Sequence, residues 1–472
     1  MTSFDANAQL QRTSVKLNAP LLYRTTYSWR VIQKFGKECI AKGDVLYGVL
    51  GPFKIYVITD PDDIYTVSNA CLKKIWAYDL SKPWLGEALI RADVPIWKKH
   101  RKIINRAFVQ DVIDQFIGVF NKESKLLVKD LIAKAGRGPF NPVDYLGNRA
   151  MEITFQTVMG ISDSGDDVIH NHEYSRALQS LFNLYAQRFQ SLWMHSPFLY
   201  NFSSLKKKEQ DLISILHRTS DKIIQKKKAA YEKRLDNSDT INTSGKTFKA
   251  FLDLLIELPP EEAYTDKEIR EEVDGMVVAA ADTSATTLRS ILVLIGSYPE
   301  VQNRAFEEVK EILGSTDREI EKHDLHKMVY LEAIIKETLR MYPTGPVQPR
   351  YATEDVQLKN YVLPAGTNCF MLVAAMQRNP DLWGPDANVF RPERWLDPST
   401  LPENSNAFAA FSLGKRVCVG KAYTLLSMKT TLSYLLLNYH FTGDDTKLTH
   451  KLDIMLKPAS GYEITITKRN RD

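Results

Sequence analysis

The stretch Phe411-x-x-Gly414-x-Arg416-x-Cys418-x-Gly420 sets one of the chain's four cysteines between two glycines and beside an arginine. At average residue usage, a random chain of this length would contain these five defined positions with a probability on the order of one in ten thousand. Cys418 also stands just ahead of the amphipathic segment "KAYTLLSMKTTLSYLLLN", and helix N-termini stabilise anions. Two readings compete. Packed in apolar surroundings, Cys418 would be a protonated and inert small hydrophobe. Free amides, close backbone approach at the glycines and the fixed charge of Arg416 favour a thiolate instead. A lone thiolate ligand with no second Cys or His at metal spacing suggests haem iron, whose porphyrin supplies the other four ligands.

Other chemistries find less support. Cys39, Cys71 and Cys369 form no CxxC pair, so neither a disulfide framework nor a zinc knuckle is suggested, and a reducing compartment is the default. The nine histidines lack HExxH spacing, and His170 and His172 read as surface residues. "GISDSG", 160–165, resembles a phosphate loop, but Asp166 occupies the place of the phosphate-contacting lysine and would repel a phosphate. A net charge of +5 permits an anionic surface without demanding nucleic acid.

The elements that must position Cys418 are mostly helical. Apolar spacing of three and four predicts helices over 96–109, 113–135, 143–159, 173–195, 205–234, 247–257 and 266–293, with a polar loop at 236–245. "LYGVLGPFKIYVI", 46–58, reads as a hairpin about Gly51-Pro52. Strand pairs are expected about Pro364–Gly366 and in the last stretch, 447–468. The expected fold is mainly α with a minor β region assembled from both ends of the chain, as a single mixed domain. The opening residues contain no apolar run near the roughly 20 residues of a membrane span.

The cysteine stretch resembles the haem-thiolate signature of the cytochrome P450 family, and other segments extend the resemblance from about residue 40 to the end. "KETLRMYP" offers Glu337 and Arg340, and "FRPERW" offers Arg394; the resemblance implies a buried charge triad behind the haem. Buried ions persist only when mutually paired. "AADTSATT" lies on the segment that would cover the distal haem face, and implies Asp282 and Thr283 as the catalytic pair delivering protons for oxygen activation. Buried hydroxyls and carboxylates are costly without a role. "WKKHRK" supplies Trp97 and Arg101 as propionate partners, joined by Arg350 and Arg416, with Phe411 and Gly420 beside the ligand.

The chain departs from the family pattern at four places. Ala280 replaces the usual glycine of the distal helix, Ala279 replaces the glutamate that bonds haem covalently in some fatty-acid hydroxylases, Gln377 replaces a histidine, and Lys415 replaces a proline. Non-covalent haem b with Cys418 as its axial ligand is therefore expected. "LWMHSPFLYNF" and the basic segment after it look most like the branch with fatty-acid ω-hydroxylases and many insect enzymes.

The resemblance implies a monooxygenase inserting one atom of O2 into an apolar small molecule: a fatty acid, terpenoid, pheromone or xenobiotic. Electrons would come from a separate NADPH-cytochrome P450 reductase, with cytochrome b5 as an optional partner, docking through Lys98, Lys102, Lys415 and Lys421. It also implies the cytosolic face of the endoplasmic reticulum membrane. Residues 1–39 lack the apolar anchor and proline-rich hinge of microsomal members, so either the enzyme is peripheral or, the favoured reading, the sequence lacks its true start, and 40–472 would form the catalytic domain. "SLWMHSPFLYNF" reads either as an interfacial membrane contact or as helix-end core. The substrate pocket is expected along 84–96 and 183–200. Two rivals are a reductase-independent peroxide isomerase or dehydratase of the same fold and a non-catalytic haem-containing ligand-binding protein.

Overall fold

A computed structural model describes residues 15–16, 25–50, 53–161, 172–236, 248–314 and 318–469. The strands are β1 (Val15–Lys16), β2 (Val45–Leu50), β3 (Phe53–Ile58), β4 (Gln348–Tyr351), β5 (Val356–Gln357), β6 (Val362–Leu363), β7 (Asn368–Met371), β8 (Tyr439–Thr442), β9 (Thr449–Leu452), β10 (Leu456–Ser460) and β11 (Thr465–Lys468). The β-branched and aromatic residues of 45–58 form the expected antiparallel pair, in register from Val45↔Ile58 to Leu50↔Phe53. Gly51 and Pro52 between them lie outside the described residues. The sheet order β1-β2-β3-β7-β4 joins this early hairpin to late strands, with Ile55 opposite Asn368, so the sheet is built from distant parts of the chain.

The expected pairing about Pro364–Gly366 does not form. β6 and β7 flank that turn, but β6 pairs with β5, while β7 lies between β3 and β4. With both edges of β7 already bonded, no free edge remains for β6. The terminal expectation holds: β9 and β10 form an antiparallel hairpin, and β11 returns to β8.

Helices make up most of the molecule. The longest buried one, Asp266–Ser297, opens with a reciprocal capping box in which Thr265 Oγ1 accepts from the Glu268 amide and Glu268 accepts from the Thr265 amide. It is buried on nearly every face, as a helix surrounded by others must be. Its length and hydropathy would suit a membrane span, but 72% of its most apolar window is buried inside the protein, so it is a core helix.

The expected 96–109 is a helix Val94–Ile104 followed by a 3-10 turn; 143–159 is a helix Val143–Thr154 closed by a π turn and by Gly160 at φ +67°. The segment 247–257 shortens to Phe251–Ile256. Ser162–Gly165 of the loop beginning at Gly160, His170, and 237–245 of the polar loop lie outside the described residues. The helix Thr25–Ala41 runs across residue 40, and Trp29 packs with Ala374 and Leu456.

Candidate active site

The cysteine loop is shaped by its own backbone. A 3-10 turn at Gly414–Arg416 leads to Cys418, whose amide donates to the Phe411 carbonyl at 2.8 Å, and the helix Lys421–Asn438 begins two residues beyond the sulfur's neighbour Val419. Gly414 has φ +66°, and a Cβ there would lie 2.9 Å from Asn69 Oδ1 and 3.0 Å from the Ser68 backbone. The close approach that needs glycine at 414 is therefore to the helix Pro61–Ala70, whereas Gly420 faces the cavity with Cys418.

Burial pushes the Cys418 thiol up, and the Gly420 amide, Arg101 and Lys421 offset only part of that rise. The side chain is nevertheless exposed, and it is toward the cavity that it opens. Coordination to a metal would deprotonate it outright. Among the described residues no group of three or more His, Cys, Asp or Glu could hold a metal ion, so Cys418 could serve iron only if another scaffold completes the coordination.

A cavity of about 720 Å³ supplies room for that scaffold. Cys418, Phe411 and Gly420 line it together with Ala279, Ala280, Thr283 and Thr287 of the Asp266–Ser297 helix. Arg350, Arg416 and Lys74 also reach its wall. Arg416 donates once, to the Ala92 carbonyl at 2.8 Å, and its Nε and Nη1 have no hydrogen-bond partner; Arg350 Nε is equally unpartnered. Burial and then repulsion from Arg350 pull the Arg416 guanidinium down to about 10. Burial, reinforced by both arginines, holds the Lys74 ammonium well below the usual lysine range. Unpaired cationic donors crowded on an apolar cavity are what the two carboxylates of a porphyrin would satisfy, so these residues fit haem.

The other expected propionate partners sit behind that wall. Trp97 lies under Arg416, with the guanidinium 4.5 Å from the ring centroid, and Arg101 Nη1 donates to the Val417 carbonyl at 2.7 Å. Neither lines the cavity. Both brace the cysteine loop and the arginine that does. Lys74 escaped the sequence reading because "KKIWAY" looks like a solvated charge pair. Its spacing to Tyr78, whose ring lies 4.5 Å from Nζ, was the available signal.

Glu337 and Arg340 of "KETLR" and Arg394 of "PERW" meet in the interior. Glu337 accepts from Arg340 Nε and Nη2, both at 2.8 Å, and from Arg394 Nε at 3.0 Å, and all three residues are fully buried. The Arg391 amide and Trp395 Nε1 add two bonds at 3.0 Å. Burial alone would raise the Glu337 carboxyl, but the two guanidinium groups hold it below the usual range. Gln377 ties this cluster to the cysteine loop: its amide donates to the Leu339 and Arg340 carbonyls at 3.0 Å and its Oε1 accepts from the Ala409 amide at 2.8 Å. One side chain that both donates and accepts thus stands at the position where the resemblance leads one to expect histidine.

Asp282 and Thr283 are not brought together. Thr283 lines the cavity, its hydroxyl donating to the Ala279 carbonyl at 2.6 Å and leaving its oxygen as an acceptor. Asp282 does not line the cavity and instead pairs with Lys457 at 2.6 Å. The expected substrate walls are also redistributed. Only Ile90 comes from 84–96, Tyr185, Phe189, Gln190 and His195 come from 183–200, and much of the remaining wall comes from Lys74–Ser81 and from the β9–β10 connection.

A family model for cytochrome P450 matches residues 10–466. Similar curated proteins include cytochrome P450 4g15 of Drosophila melanogaster, 30% identical with 89% of this chain and 85% of that protein covered. Cytochrome P450 4c21 of Blattella germanica is 31% identical over 88% of this chain and 83% of its own length, and human cytochrome P450 4V2 is 28% identical over 90% and 82%. The chain belongs to the cytochrome P450 family, and is a haem-thiolate monooxygenase of the class that takes dioxygen, a redox partner and an apolar substrate.

Proposed function

We propose that this protein binds haem b non-covalently, with Cys418 as axial ligand, and inserts one oxygen atom of O2 into an apolar small molecule such as a fatty acid, terpenoid, pheromone or xenobiotic. The observation that carries the reading is one cavity shared by the Cys418 sulfur, the Thr283 hydroxyl and the unpartnered donors of Arg350 and Arg416. When bound, the cofactor supplies dioxygen binding and oxygen-oxygen cleavage, helped by electron donation from the thiolate. Arg350, Arg416 and Lys74 hold its carboxylates, while Trp97 and Arg101 steady the loop that presents the sulfur. Ala279 carries no carboxylate for a covalent ester. Thr283 holds a proton-accepting oxygen at the cavity wall, and Asp282 stands one residue behind it.

Electrons are supplied by an NADPH-cytochrome P450 reductase, with cytochrome b5 as a second donor, at the face where Lys98, Lys102, Lys415 and Lys421 are exposed. The protein works at the cytosolic face of the endoplasmic reticulum membrane. Trp193, Phe198, Leu199 and Phe202 support a membrane contact, because Phe198 is 71% and Phe202 81% exposed and their rings pack on each other at 5.1 Å.

The reduced carbon monoxide difference spectrum of the wild type and of Cys418→Ala tests the central claim. A thiolate-type band present in the first and absent in the second is expected; a wild type without it sinks the assignment. NADPH consumption with added reductase separates a monooxygenase from a peroxide isomerase, which would turn over a hydroperoxide alone. A protein that binds ligand spectrally yet yields no oxidised product would be a sequestering protein.

A further inference from the structure

Residues 86–93 belong to neither helix nor strand, yet they place Ile90 on the cavity wall. Their buried amides need partners from elsewhere, and the long helix Asp266–Ser297 supplies two. Glu271 accepts from the Glu87 amide at 2.9 Å, and Glu272 accepts from the Leu89 amide at 3.1 Å. One turn on from Glu271, Gly275 lets the helix close on the segment: a Cβ there would lie 3.0 Å from the Ala88 Cβ. Gly86, at φ +46°, makes the matching allowance, since a Cβ on it would run into the Glu271 carboxylate. The far end is held at the Ala92 carbonyl by Arg416, and Arg91 closes the segment on itself through the Gly86 carbonyl and Glu87.

Burying two successive carboxylates is costly. Glu271 is 5% and Glu272 1% exposed. Burial raises the Glu272 carboxyl and Glu271 adds to the rise, while His100 Nδ1 at 2.7 Å and the Leu89 amide offset part of it. Lys267 stands 3.8 Å from Glu271, and the Tyr264 ring packs against that of His100. Apolar side chains of the same volume would fill this space at less cost. They could not accept from chosen amides, and a directional bond fixes a loop's position where an apolar contact does not.

We infer that Glu272, seated on His100, is a positioning residue for substrate selectivity: by holding the Leu89 amide it sets where Ile90 stands on the cavity wall. The inference rests on the proposed reading of the cavity as the seat of haem and an apolar substrate. Neither Glu272 nor His100 lines the cavity, so the effect passes through the segment between them and Ile90.

The test compares imidazole with N-dodecylimidazole in the haem-loaded protein. Both would ligate the iron through the same ring nitrogen, and only the second carries a chain that reaches the wall. Spectral titration gives the ratio of their dissociation constants, and amide hydrogen exchange of residues 86–93 reads the fastening without any ligand. Glu272→Leu should speed that exchange and change the ratio, each roughly tenfold, as for about one methylene misplaced in an apolar pocket, with imidazole itself unaffected. Glu272→Gln keeps an oxygen for the Leu89 amide and should stay near wild type. In an Ile90→Ala background, Glu272→Leu should leave the ratio alone. Should Glu272→Leu not fold, Gly275→Ala, which presses on Ala88 and spares both carboxylates, takes its place in every measurement. A ratio unchanged despite faster exchange would make Glu272 merely structural, unchanged exchange would hand the fastening to Arg91, and an equal change of the ratio in the Ile90→Ala background would move the effect off Ile90; each overturns the inference. Absence of any imidazole spectrum would sink the haem reading first, and this inference with it.

Discussion

Two groups of buried arginines in this protein differ in whether a carboxylate meets them. Arg340 spends all of its N–H groups: two reach Glu337, and the others reach the carbonyls of Gln377, Ala387 and Val389. Arg350 and Arg416, on the cavity wall, leave Nε of the first and Nε and Nη1 of the second without partners and repel each other. Arg394 beside Glu337 also leaves Nη1 open, so an open donor alone does not mark the cavity; what sets Arg350 and Arg416 apart is that no carboxylate among the described residues pairs with them, which suits them to an anion. The same residue type at similar depth thus separates the part of the molecule that folds from the part that binds.

The largest expected effect tests the closed cluster. Glu337→Gln leaves two buried guanidinium groups uncompensated and should cost about 3–5 kcal/mol of stability at neutral pH, seen as loss of cooperative unfolding or of soluble protein. Because the folded carboxyl lies below its ordinary value, the wild type keeps this contribution above the unfolded value of about 4.3 and loses it as the pH falls through the folded one. A Glu337→Gln protein as stable as wild type would dissolve the contrast.

The open cluster should respond in the opposite sense. Arg416→Met removes a charge-assisted bond worth about 1.5–3 kcal/mol and should weaken haem retention roughly ten- to hundredfold in a haem-transfer assay. The haem-free protein should be no less stable, since a repelled and desolvated charge has gone. Equal damage to the haem-free protein would place Arg416 with the scaffold.

A third group falls between these extremes. Asp274 on the Asp266–Ser297 helix accepts from Ser220, with His217 Nε2 at 3.8 Å and Arg270 and Asp221 nearby, and burial raises it to about 7. The unfolded chain releases that proton near the ordinary value of about 3.9. Between there and about 7 the folded state holds the extra proton, so stability is full below the window and falls as the pH rises through it. Unfolding temperatures of Asp274→Asn measured from pH 4 to 8 should lack this decline and exceed wild type at the alkaline end.

The smallest effect concerns the surface. Phe198→Ser with Phe202→Ser should leave stability unchanged and weaken sedimentation with phospholipid vesicles by a few kcal/mol at most, since a fully buried Phe contributes about 1.5–3 kcal/mol. Unchanged vesicle binding would mean that these rings serve another purpose.

Much of this was legible in the chain. The cysteine loop, the helix after it and the early hairpin follow from local spacing, because each carries its own turn chemistry or periodicity, whereas the meeting of Glu337, Arg340 and Arg394 was legible only through the family resemblance. The pairing of β7 was not legible: β3 reaches it from more than 300 residues away and takes the edge that local reasoning assigned to β6. Nor was the depth of Lys74, since a lysine pair before aromatic residues has the same pattern on a surface as on a cavity wall.

The sequence by itself determined which side chains could do chemistry: a single cysteine in a rigid loop, a threonine and an aspartate on an apolar helix, and arginines in excess of nearby carboxylates. Tertiary structure decided which of them face the same space. It put Thr283 on the cavity and Asp282 behind it, withdrew Trp97 and Arg101 to brace the wall, brought Lys74 to its edge, and set Lys457 against Asp282. The reason is geometric: neighbouring residues on a helix diverge by about 100°, and what meets each of them is set by elements packed from elsewhere in the chain.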